Sequence, residues 1–307
     1  MDNTVVKVRG LMKFYGETRA LAGLDLSIEK GEVFGIVGPN GAGKTTTIDC
    51  MAGMRTPDSG SISVLGLEPL KNSIELKRRT GLQQQESELP DRLKVEEAIE
   101  LFKNLFGTNP STEGLLERVG LLSKRQSCYS ALSGGQKRRL FVALALVNDP
   151  ELIMLDELTS GLDPRGRRKL WQLVEEFNSD DRTVILSTHY MDEAEKLCDR
   201  IAIFNKGTVV AVDTPKALIQ KFCPGIRLRL GCGSAFDAAS ALSAGGVLKA
   251  SMDGDDCVME LDSGDAVIPV IQEFSRRGLS LGNLKTETPT LEDVFMVVTG
   301  KEYQDEA

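Results

Sequence analysis

The run Gly38-Pro39-Asn40-Gly41-Ala42-Gly43-Lys44-Thr45-Thr46 constrains this chain more than any other stretch. It fills every fixed position of the pattern G-x-x-x-x-G-K-[ST]. Glycines at that spacing let consecutive backbone N–H groups turn inward and cradle phosphate oxygens without Cβ clashes. Lys44 then sets a point charge beside the β- and γ-phosphates, and the Thr45 hydroxyl is placed to bind Mg²⁺. The flanks agree with this reading. Val33 to Val37 reads as a buried strand, and Thr45 to Met51 reads as a helix, whose N-terminus favours an anion. Nucleotide binding is the working expectation, and a glycine-rich turn that happens to carry a lysine is the bland one.

Two further apolar runs repeat the theme. Leu152 to Leu155 is continuous, as a strand buried on both faces should be, and it delivers Asp156-Glu157. Thr183 to Ser187 delivers Thr188-His189. In open parallel α/β sheets, ligands bind outside the carboxyl ends of the strands. Three strands ending in Gly38, Asp156 and His189 therefore point to one edge. A buried core explains the apolar runs but not an acidic pair directly behind one of them. Leu132-Ser133-Gly134-Gly135-Gln136 opens a helix from Lys137 to Val147 with Ser133 as N-cap, a second anion-favouring helix start. Standing alone, it reads as an ordinary capped helix.

The remainder supplies the frame. Residues 4–9 alternate like an edge strand. Tyr15 alone reads as a packing residue, although an aromatic before the phosphate loop could stack on a nucleobase. Ile74 to Arg79 reads as a basic helix. The glutamines after Gly81 read, by themselves, as a solvated loop. Residues from about 93 to 150 are mostly helical, with helices predicted over Val95 to Phe102 and Leu115 to Leu122. Arg165 to Phe177 is an amphipathic helix holding the only tryptophan, Trp171. Ile201 to Phe204 and Val209 to Val212 form a hairpin, and Thr214-Pro215 starts a helix. Past Cys223-Pro224-Gly225 the order is strand (226–230), helix (235–243), strand (246–252), strand (257–261), helix (265–277), strand (279–286). That β-α-β-β-α-β order suggests a small ferredoxin-like domain. A last helix, Leu291 to Val298, is capped by Thr290 with Asp293 in the reciprocal position.

Composition narrows the function class. Over 307 residues the net charge is −8 and the pI about 5.0, which argues against a nucleic-acid partner. The longest apolar run, Leu140 to Val147, falls far short of the ~18 residues that span a membrane. Met1 to Gly10 is charged and alternating, with no secretory pattern. The expected location is the cytosol, with membrane contact through another polypeptide. The six cysteines, Cys50, Cys128, Cys198, Cys223, Cys232 and Cys257, have no C-x-x-C spacing, and His189 is the only histidine. They read as reduced buried thiols rather than metal ligands.

With these motifs in order, the chain resembles an ATP-binding cassette (ABC) nucleotide-binding subunit over roughly residues 4–220. The resemblance implies an α/β P-loop NTPase of ABC type, residues 1–222, with a helical subdomain at about 86–150. Residues 223–307 would form the small α+β accessory domain. It implies that Tyr15 stacks on adenine and that Gly38, Pro39, Asn40, Gly41, Ala42, Gly43, Lys44, Thr45 and Thr46 are the Walker A loop. Gln85, four residues after Gly81, matches the glutamine that senses Mg²⁺ and the transmembrane partner, with Gln84 as fallback. Ser133, Gly134, Gly135 and Gln136 match the segment that closes on the γ-phosphate of a nucleotide held by the opposite subunit. Asp156 matches the Mg²⁺-shell aspartate and Glu157 the carboxylate that polarises attacking water. Asp163 matches the aspartate that communicates across the dimer, and His189 the switch histidine. One departure is Leu158, where the family usually has a proline that stiffens the strand exit. The phrases Ser187-Thr188-His189-Tyr190-Met191-Asp192-Glu193-Ala194-Glu195 and Pro289-Thr290-Leu291-Glu292-Asp293-Val294-Phe295 are similar to those of daunorubicin-resistance-type ATPases. That likeness implies a Mg-dependent ATPase, peripheral on the cytoplasmic face, pairing with a second such subunit and a separate membrane permease for export. The rival reading is a soluble ABC ATPase acting on nucleic acid or the ribosome. A third is a nucleotide-binding regulator without turnover.

Overall fold

The computed structural model describes residues 3–179, 182–231, 245–254, 256–276 and 282–300. The helix expected over 235–243, Cys232 and the tail from Glu302 lie outside them. The chain divides into two compact units, Met1–Pro215 and Lys216–Ala307.

In the first unit, β1 (Thr4–Tyr15) and β2 (Thr18–Glu29) form a hairpin, β3 (Val33–Val37) runs into α1 (Lys44–Met51), and β4 (Ser59–Val64) returns to pair with β1. A short α2 (Ser73–Arg79) leads into β5 (Thr80–Gln83), and three helices follow: α3 (Val95–Phe106), α4 (Thr112–Arg118) and α5 (Gly134–Ala145). Strand and helix then alternate through β6 (Leu152–Asp156), α6 (Pro164–Ser179), β7 (Thr183–Thr188) and α7 (Met191–Leu197). The hairpin of β8 (Arg200–Asn205) and β9 (Thr208–Asp213) follows.

The main sheet has the order β5-β6-β7-β3-β8-β9. Its first five strands are parallel, and only β9 runs against its neighbour. Every residue of β3, β6 and β7 is buried, as continuous apolar runs covered on both faces require. Alternate residues face opposite sides. Phe34, Ile36, Met154, Ile185 and Phe204 join one core with Val6, Val8, Leu24 and Ile28 of the antiparallel sheet and Ile48 of α1. On the other face, α6 and α7 pack against β7 and β3. The order β6-β7-β3 makes three site-bearing strands adjacent.

Two local expectations need correction. β1 is the middle strand of β2-β1-β4, not an edge. Alternation reports one buried face, and the strand that closes its second side lies far along the chain. The helix expected over Leu115 to Leu122 instead occupies Thr112–Arg118. Ser111 caps it by accepting from Gly114 N at 3.1 Å, and Gly120 at φ 63° turns the chain out of helical geometry.

In the second unit, α8 (Pro215–Phe222) leads to β10 (Ile226–Gly231), β11 (Val247–Asp253), β12 (Asp256–Leu261), α9 (Val267–Arg276), β13 (Gly282–Glu287) and α10 (Leu291–Thr299). The division between units falls at the start of α8, which the sequence reading placed with the first domain. The strands form an antiparallel sheet of order β11-β12-β10-β13. Each of the two crossovers, β10 to β11 and β12 to β13, skips one strand, the strand order of a ferredoxin-like sheet. Leu228, Leu230, Met259 and Leu261 meet Val270 and Phe274 of α9 in a separate core. Asp293 caps α10 by accepting from Thr290 N at 2.8 Å, and its other oxygen meets Arg227 Nη1 of β10 at 2.6 Å. Asp293 is nearly buried and Arg227 a third exposed. Arg227→Ala strands that carboxylate and is expected to destabilise this unit by about 1–3 kcal/mol, read as a lower urea midpoint.

Candidate active site

The glycine-rich loop joins β3 to α1. A Cβ on Gly38 would stand 2.5 Å from the Phe204 carbonyl oxygen, and Gly43 sits at φ 102° against the Ala20 carbonyl. Neither position accepts a side chain. The loop folds over Lys44, whose Nζ donates to Gly38 O at 2.8 Å and Pro39 O at 3.2 Å and lies 3.3 Å from Glu157 Oε1. Lys44 is buried. Burial lowers its pKa, and the charges of Glu157 and Asp156 oppose that shift.

Glu157 follows directly on β6. Its backbone is left-handed, at φ 48°, and its N–H donates to Ser187 O and Oγ, each at 3.1 Å. Left-handed backbone is uncommon for a residue with a long side chain. Here those two bonds to the end of β7 hold it. The carboxylate reaches His189 Nδ1 at 3.6 Å on one side and Lys44 on the other. His189 and then Lys44 hold its pKa below the ordinary value against the upward push of burial. Glu157 is thus a buried carboxylate kept ionised.

Asp156 ends β6, opposite Ser187 in register. The Ser187 hydroxyl donates to Asp156 Oδ1 while accepting from Glu157 N, so one hydroxyl orders both acidic residues. The Thr45 hydroxyl, on α1, acts on the same Asp156 carboxylate. Burial raises the Asp156 pKa, and those two hydroxyls oppose it. A hydroxyl and a carboxylate side by side are hard oxygen donors. They suit Mg²⁺, which takes one or two protein ligands and fills its octahedron with water and phosphate oxygens.

The other expected residues lie outside this cluster. Gln85 is exposed. Its carbonyl accepts from Arg138 Nη1 of α5 at 2.6 Å, and no hydrogen bond ties its side chain to Thr45, Asp156 or Glu157. Gln83, not a solvated loop residue, is the buried end of β5. Ser133 and Gln136 form the reciprocal cap of α5, with Ser133 N donating to Gln136 Oε1 at 2.9 Å. Gly135 lies beside Leu162. Asp163 Oδ1 accepts from Gly166 N at 2.7 Å and caps α6. Tyr15 is half-exposed, with the Arg55 guanidinium 5.2 Å from its ring centre. Leu158 is buried, and the bonds from Ser160 N to Glu157 O and from Leu162 N to Thr159 O hold the loop that follows it.

Sequence reasoning passed over Ser187 and Arg138. The signal for Ser187 was a hydroxyl ending an apolar run whose neighbour ends in Asp-Glu. Arg138 gives no such signal; only the fold sets its charge near Glu157 and Asp156, which offset the lowering of its pKa by burial.

Comparison with known proteins agrees with this geometry. A family model described as ABC transporter matches residues 21–160. The Nod factor export ATP-binding protein I of Ralstonia nicotianae is 33% identical over 98% of this chain and 95% of its own length. The daunorubicin resistance ATP-binding protein DrrA3 of Streptomyces coeruleorubidus is 33% identical over 98% of this chain and 97% of its own. A dimeric post-hydrolysis structure of an ATP-binding cassette bound to ADP and Pi superposes with a TM-score of 0.61 at 26% identity. It covers 68% of this chain and 98% of that one. No helix among the described residues is long and apolar enough to cross a membrane. The phosphate loop, the acidic pair and the histidine on three adjacent strands thus belong to a chain that is a member of the ABC transporter family, an ATP-binding subunit of its exporter branch.

Proposed function

We propose that this chain hydrolyses ATP with Mg²⁺ and powers export through a separately encoded integral-membrane permease. It would act at the cytoplasmic face as one of two cassettes that sandwich two ATP molecules head-to-tail. Residues 1–222 are assigned to the cassette and 223–307 to an accessory role. The observation that carries the reading is Glu157, a carboxylate held ionised between Lys44 and His189 beside the Thr45–Asp156 pair. The loop N–H groups and Lys44 hold the β- and γ-phosphates. Mg²⁺ held by Thr45 and Asp156 would neutralise phosphate charge. Glu157 orients water in line, and His189 steadies the transferred group. Ser133 and Gln136 hydrogen-bond each other rather than the cluster of their own chain, which suits a role on the partner's nucleotide, with Asp163 next to Leu162, beside which Gly135 lies.

An apolar groove between β5 and the helical region supports a partner. It is lined by Leu89, Phe102, Phe106, Phe141 and Leu144, and Leu105 on the same α3 is 70% exposed. Exposed apolar surface of this kind marks contact sites. The test is a mild-detergent pull-down from native membranes, with and without ATP. A stoichiometric polytopic membrane protein is expected. Ribosomes or nucleic acid in its place would move the chain to the soluble class.

A further inference from the structure

β4 is the outer strand of β2-β1-β4, and its far side is only half closed. Val64 N donates to Leu67 O at 2.8 Å and Leu67 N to Val64 O at 2.9 Å, so the chain turns back and pairs once with β4. The next hydrogen-bonded pair of that ladder would set Ile62 against Pro69. Pro69 has no N–H and cannot continue it. The peptide groups of Ile62 face the same side as those of Val64, and among the described residues no backbone group meets them there. An open strand edge of this kind is a template for another chain.

A cleft of about 430 Å³ opens where the ladder stops. Cys50, Ile62, Pro69 and Leu70 give it apolar walls, and Lys7 and Arg9 of β1 reach it across β4. Their partners in register are Ser63 and Ser61, side chains too short to stand in the way. Both cations are exposed, and no carboxylate pairs with either among the described residues. Glu68, which also lines the cleft, is held by Lys71 at 2.7 Å. We propose that this edge takes an extended, acidic segment of a partner protein as a fourth strand. Its main chain pairs with Ile62. Its alternate side chains face opposite sides, so apolar ones enter the cleft while carboxylates lie on the outer face beside Lys7 and Arg9. Main-chain bonds supply affinity in such strand addition, and the alternate side chains supply selectivity.

The test pans a phage-displayed library of random heptapeptides on the full chain, with the double variant Lys7→Glu, Arg9→Glu as counter-selection. Both side chains are exposed and lie outside the hydrolytic cluster, so the variant should keep the unaltered chain's melting temperature and ATP turnover. The enriched peptides are expected to alternate apolar and acidic residues. The strongest of them, made synthetically, should bind the double variant about tenfold or more weakly. N-methylation of the alternate residues whose N–H groups reach β4 keeps every side chain and should cost about tenfold. Methylation in the other phase should leave binding within about twofold. A library that enriches nothing overturns the inference. So does a peptide that binds the double variant equally well, or one that loses as much by methylation in either phase. Decanoate bound in the cleft with no peptide enriched would make the occupant a small amphipathic anion and overturn it too.

Discussion

Replacing Glu157 by glutamine is expected to slow ATP hydrolysis by roughly a hundredfold or more while ATP stays bound. The amide has the carboxylate's shape, so it still fills the space between Lys44 and His189. It cannot accept a proton from water. The loop, Lys44 and the Thr45–Asp156 pair are untouched, so the phosphate grip survives. With turnover blocked, the closed pair of cassettes should accumulate. Phosphate release, nucleotide titration and size-exclusion chromatography in ATP would together show this. Hydrolysis at the unaltered rate would remove Glu157 from the role.

Lys44→Ala should act on the other half, weakening ATP binding by roughly a hundredfold. Lys44 is the buried cation beside Glu157 and near Asp156. Its removal leaves two buried carboxylates facing polyphosphate without the buried cation between them. The sign of the accompanying pH effect follows. In the unaltered chain the Glu157 carboxyl is held below its ordinary 4.5 by His189 and Lys44. The stability it contributes is fully present above that value and is lost as pH falls through the lowered one. Without Lys44, that lowered pKa rises. The acid limb of the residual rate should therefore move to higher pH, measurable at saturating nucleotide. An acid limb that stays in place would show that His189 alone sets the Glu157 ionisation.

Much of this arrangement is legible from residues alone because the family's chemistry sits at strand ends. An apolar run followed at once by Gly38, Asp156 or Thr188-His189 announces both the strand and the edge it serves. The doubly covered strands β3, β6 and β7 follow from the same runs. What escapes the sequence is lateral order. Alternation over residues 4–9 cannot say that β4 will close the free side of β1. Gln85 illustrates the second limit. Spacing from Gly81 marks it, yet the structure leaves its side chain exposed and holds only its carbonyl, through an arginine 53 residues away. Contacts of that separation, like that of Trp171 with Glu193, depend on how helices pack and leave no local pattern.

The left-handed backbone at Glu157 bears on how such a cassette could drift over generations. Only glycine, asparagine and aspartate adopt that angle readily. Branched replacements meet a main-chain barrier before any question of chemistry arises. Aspartate and asparagine pass that barrier, but their side chains are one methylene shorter and draw the head group back from Lys44 and His189. The mutational exits from this position that keep the fold therefore lead first to a cassette that still folds and still grips nucleotide but no longer turns over. Lineages with one working and one silent copy have a short route open to them here.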